Sequence, residues 1–114
     1  MTHLQTPAQS AREALELLEG LSQAPSPATI GRAKFVISIL HRIKSPEPFV
    51  FPTEIQGVQF EWHGSPRALD VEVLPEGAGL AYVTFENGVP KAEGEIGGDV
   101  EMDIASLVQW LMSR

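Results

Sequence analysis

The apolar residues of this chain change their spacing once, at Ser45-Pro46-Glu47-Pro48, and that change constrains the fold more than any other feature. Before it they recur every three or four residues; after it they alternate. The first spacing belongs to a helix with one buried stripe, the second to a strand with one buried face. Pro46 and Pro48 end any helix there, because proline lacks the amide donor and disfavours helical geometry in the residue before it. The chain therefore reads as helices followed by an antiparallel sheet.

Two helices are predicted before the break, over about 7–20 and 27–44. In the first, Thr6 offers a capping hydroxyl, Pro7 suits the first helical position, and Gln9 lies three residues after the cap. Ala11, Ala14, Leu15, Leu18 and Leu21 share one face, Glu13, Glu16 and Glu19 lie on the other, and Gly20 stops the helix. Ser26-Pro27 repeats the start signal. Ile30, Ala33, Ile37 and Leu40 form the second stripe, widened by Val36, Ile39 and Ile43. A stripe that broad suits a helix covering a sheet on one side and touching its neighbour on another.

After the break, Val58, Phe60 and Trp62 alternate with Gln59, Glu61 and His63, and Leu69, Val71 and Val73 alternate with Asp70 and Glu72. In the next run Ala81, Val83 and Phe85 read as the apolar face, against Tyr82, Thr84 and Glu86. Short turn-like links, among them Asn87-Gly88, make these strands antiparallel neighbours. Phe49-Val50-Phe51 reads as an edge strand limited by Pro52, and Lys91 to Ile96 as a last strand. Asp99 or Asp103 then caps a final helix over about 100–113, with Ile104, Leu107, Val108 and Leu111 as its stripe. The expected fold is α+β in one domain, residues 1–114: two helices, a meander of three to five strands over about 49–96, and a last helix. The helices should share one face of the sheet.

The charge is uneven. Residues 1–44 carry five Lys/Arg and three acids; residues 45–114 carry three Lys/Arg and twelve acids, within a net charge of −7. A nucleic-acid or anionic-membrane binder needs the opposite balance, so neither partner is expected. An acidic surface of this kind steers toward a basic protein partner or keeps the chain in solution. There is no cysteine, which excludes disulfides, thiolate metal sites and a cysteine nucleophile. The first residues lack the basic start and apolar run of a signal peptide, and a cytoplasmic location is expected.

If the first two meander strands face their apolar sides the same way, Glu61 falls opposite Asp70, with His63 and Glu72 nearby. Opposed like charges cost about 0.2–1 kcal/mol, so a basic partner, a cation or solvent should compensate. The plainest outcome is a solvated acidic face; the functional one is partner binding, with a metal or acid–base site behind both. Trp110 falls off the last helix's stripe and is a candidate interface anchor. Lys34, His41 and Lys44, with Arg32 and Arg42, put positive charge on the second helix. Nucleic-acid contact there is a weaker reading than solvated, snorkelling side chains. His3, His41 and His63 lie on different elements, and neither a Gly-x-Ser-x-Gly elbow nor a phosphate-binding glycine loop is present. No catalytic residue, metal site or cofactor is expected.

The run Pro52-Thr53-Glu54-Ile55-Gln56-Gly57-Val58-Gln59-Phe60-Glu61-Trp62, followed by Leu69-Asp70-Val71-Glu72-Val73, resembles a group of small bacterial proteins of unassigned function. Gln56 stands where that group has the first glycine of a pair. The resemblance spans about half the chain, from Pro25 to Val83, and implies bacterial origin and a shared fold. The expectation is a non-enzymatic interaction module, antitoxin-, immunity- or inhibitor-like, that binds a basic partner through Glu61, His63, Asp70, Glu72 and Trp110. A homodimer is expected, through Trp110 or the Phe49–Phe51 edge. The alternatives are a small-molecule or metal-binding accessory domain and, behind it, nucleic-acid binding through the second helix.

Overall fold

A computed structural model describes residues 3–113. The elements run β1 (His3–Leu4), α1 (Ala11–Glu19), α2 (Pro27–Arg42), β2 (Phe49–Pro52), β3 (Val58–Trp62), β4 (Gly64–Ser65), β5 (Arg67–Val73), β6 (Leu80–Glu86), β7 (Val89–Ile96) and α3 (Val100–Met112). The main sheet is an antiparallel meander in the order β2-β3-β5-β6-β7, and β1 pairs with β4 in a small second sheet. The α+β class holds, with more strands among the described residues than the sequence suggested. None of the described helices is long and apolar enough to cross a membrane.

Register sets the two faces of the sheet. Val50, Phe60, Val71, Tyr82 and Gly94 make one row across all five strands, flanked by Val58, Val73, Leu80 and Ile96 on one side and Trp62, Leu69 and Thr84 on the other. These rows join Leu15 and Leu18 of α1, Val36, Ile39 and Leu40 of α2, and Ile104, Val108 and Leu111 of α3 in one core. Trp62 is 2% exposed and its indole Nε1 donates to the Pro46 carbonyl at 2.9 Å. The helix-ending proline link is thereby fastened to the centre of the core.

Two sequence expectations need correction. First, α1 starts at Ala11 rather than near Pro7. Ser10 Oγ accepts from the Glu13 amide while the Glu13 carboxylate accepts from the Ser10 amide, a reciprocal cap that outcompetes Thr6. Leu21 follows the end of α1 and is 49% exposed. Second, β6 has the opposite phase: Leu80, Tyr82 and Thr84 face the core, and Ala81, Val83 and Phe85 face away from it. Thr84 is buried because its hydroxyl donates to the Ala92 carbonyl, 3.4 Å away. The expected last strand is present as β7, which starts two residues earlier, at Val89, and forms the edge of the sheet opposite β2.

The Pro-Thr-x-x-x-Gly run closes the β2–β3 hairpin. Thr53 Oγ1 accepts from the Gly57 amide at 2.8 Å, and the Thr53 amide donates to the Gly57 carbonyl at 3.1 Å. Gly57 passes so close to β5 that a Cβ there would stand 2.6 Å from the Val73 carbonyl oxygen. Only glycine fits without backbone movement.

Candidate functional site

All three helices lie against one face of the main sheet, so the other face is open. Along it, Phe49, Glu61, Asp70, Val83 and Glu93 form one row across the five strands, and Phe51, Gln59, Glu72, Ala81 and Glu95 form the next. Ala68, Phe85 and Pro90 extend the face on the other side. Two adjacent rows thus hold five carboxylates and no lysine or arginine. Phenylalanines border them at the β2 edge, and Val83 and Phe85 interrupt them at β6.

The predicted pairing of Glu61 with Asp70 is present, and its compensation comes from β3 itself and from the residue that follows it. Glu61 Oε2 accepts from Gln59 Nε2 at 2.6 Å, and its Oε1 lies 2.7 Å from His63 Nε2. His63 in turn stacks on Phe49, with ring centroids 4.4 Å apart. These residues lie two apart on one strand face, so alternation alone aligns them. Asp70 has only a long contact, 3.4 Å, from the same Gln59 amide. Burial pushes its carboxyl up from 3.8 to about 6, the Glu61 charge adds to the rise, and His63 opposes it. The electrostatic cost of the face is concentrated on Asp70, at its centre.

Glu61, His63, Asp70 and Glu72 are therefore brought together on one surface; Trp110 is not. It lies on α3, across the sheet, half-buried against the core. The Arg67 guanidinium stacks 4.8 Å from its ring centroid and Arg67 Nη1 donates to its carbonyl at 2.7 Å. Glu86 holds the other side of that guanidinium at 3.7 Å. Arg67 thus stacks on the half-buried Trp110 ring from the sheet side. Among the described residues no three His, Cys, Asp or Glu side chains converge as a metal site requires. On α2, Lys34 pairs with Glu19 of α1 and Arg42 with Glu101 of α3, so two of its four basic side chains fasten helices together.

The face also includes Phe49, Val83, Glu93 and Glu95, which sequence reasoning did not assign to it. Asn87-Gly88 was the signal available. Its positive φ values of 55° and 79° fit the tight two-residue turn that pairs Glu86 with Val89. Counting back from that pair gives Val83 opposite Ala92; a bulge between Thr84 and Phe85 shifts the pairing by one residue and sets Val83 beside Glu93. Comparison with known proteins finds no match among family models, curated proteins or solved structures.

Proposed function

We propose that this protein is a non-enzymatic interaction module whose open sheet face binds a basic surface on another protein, in the manner of an antitoxin, immunity protein or inhibitor. The observation that carries the reading is the pair of cross-strand rows: five carboxylates without a lysine or arginine, bordered by the exposed Phe51 and the half-buried Phe49. A partner's Lys or Arg side chains supply the counter-charge that Asp70 lacks. The rings at the β2 edge and Val83 and Phe85 supply apolar contact, which a purely solvated acidic surface does not need. Such complementarity accelerates encounter and rejects acidic competitors. A cytoplasmic setting and self-association into a homodimer through the β2 edge belong to the same proposal.

The test compares immobilised wild type with the Glu61→Gln/Asp70→Asn/Glu72→Gln variant in native-host extract. A basic protein retained by wild type at low salt, released at high salt and missed by the variant supports the reading. Equal retention by both proteins, or retention of an acidic one, overturns it.

A further inference from the structure

A second concave site lies on the helix side of the molecule, where the start of α1, the end of α2 and the Pro46-Glu47-Pro48 link meet. The cleft has a volume of about 470 Å³, inside the range of roughly 300–1,000 Å³ usual for small-molecule sites. Its apolar lining is Ala11, Ile37, Leu40 and Pro48, all buried. Its rim carries Arg12 from α1, His41 from α2 and Lys44 from just beyond α2. None of these three side chains has a carboxylate partner among the described residues, although Lys34, Arg42 and Arg67 all do.

Two further observations bear on Lys44 and Glu47. The α2 terminus closes as a Schellman turn, with the Ser45 amide bonded to the Leu40 carbonyl at 3.0 Å and the Lys44 amide to the His41 carbonyl at 3.2 Å. That turn puts Lys44 at φ 55°, the left-handed position that glycine ordinarily fills because a Cβ is strained there. A lysine at this position costs backbone energy and gains nothing from an internal ion pair. The carboxylate of Glu47, also in the lining, accepts from the Ala11 amide at 2.6 Å, and the positive end of α1 offsets its charge. The cleft's remaining charged groups are cations.

We propose that this cleft binds a small organic anion, an apolar body ending in a phosphate or carboxylate, with Arg12, His41 and Lys44 around the anionic group and Ile37, Leu40 and Pro48 against the body. The site is separate from the acidic face and needs no protein partner.

The test is a titration of the isotope-labelled full chain with phenyl phosphate, with inorganic phosphate and phenol as separate arms, followed by amide NMR. Phenyl phosphate should give saturable shifts at Ala11, Ser45 and Glu47, with both fragments several-fold weaker. Lys44→Gly removes a cation where glycine is the favoured residue, so its melting temperature should stay level or rise while affinity falls at least about fivefold. Absence of saturable shifts at these amides, or undiminished affinity in well-folded Lys44→Gly, overturns the assignment. If inorganic phosphate binds as tightly as phenyl phosphate, the apolar lining plays no part and the organic-anion claim fails.

Discussion

Replacing Asp70 by Asn tests the electrostatics of the open face at its centre. The substitution keeps size and an acceptor for the 3.4 Å contact from Gln59 while removing the charge. In the folded chain the carboxyl titrates at about 6 rather than 3.8, so across that window the folded state holds a proton that the unfolded state has lost. Stability contributed by this group therefore falls as pH rises from about 4 to about 6, and is level above that. At about 1.4 kcal/mol per pKa unit the full displacement corresponds to about 3 kcal/mol, and solvent screening of a half-exposed carboxylate reduces it to about 1–2 kcal/mol. Asp70→Asn should thus match wild type near pH 4 and exceed it by about 1–2 kcal/mol at pH 7, measured by urea denaturation across the range. Glu61→Gln removes only the second cause of the rise, after burial, so it should leave most of the slope in place. An Asn variant that is less stable than wild type at pH 7, or one with an unchanged pH slope, would refute the reasoning.

Trp62→Ala should cost about 3–5 kcal/mol, because the ring is 2% exposed and its indole fastens the Pro46 link; a calorimetric melt within a degree or two of wild type contradicts this. Gly57→Ala should lose about 1–3 kcal/mol in denaturant, since its Cβ would meet the Val73 carbonyl at 2.6 Å; an unchanged midpoint would show that the hairpin can move away. Light scattering at micromolar concentration should give the mass of a dimer, and a monomer mass independent of concentration removes the β2 edge as a self-association surface.

The parts of the fold legible in the sequence are those where one physical rule dominates. The proline pair fixed the boundary between the two periods, and strong alternation in 58–62 and 69–73 fixed the opposition of Glu61 and Asp70. Where two signals compete, the reading fails. In β6, Val83 and Phe85 are more apolar than Tyr82 and Thr84, yet they face outward because unbroken pairing with β5 sets the phase and Thr84 satisfies its hydroxyl in the core. At the first helix, Thr6-Pro7 and Ser10-Glu13 are both start signals, and reciprocal bonding decides for the second. The stacking of Arg67 on Trp110 was not legible, because the two residues are forty-three apart in sequence, beyond the reach of any local pattern. The basic cleft was hidden for a similar reason: it joins Arg12 to His41 and Lys44 only after the link folds back on α1.

Carboxylate footprinting tests the central claim most directly. Glycine ethyl ester and carbodiimide label exposed carboxyl groups, and mass spectrometry reads each position with and without the protein retained from native-host extract. The account predicts protection of Glu61, Asp70, Glu72, Glu93 and Glu95 in the complex, with Glu16 of α1 and Glu101 of α3 labelled as before. Protection confined to the helical acids, with the five sheet carboxylates labelled equally in both states, would contradict it.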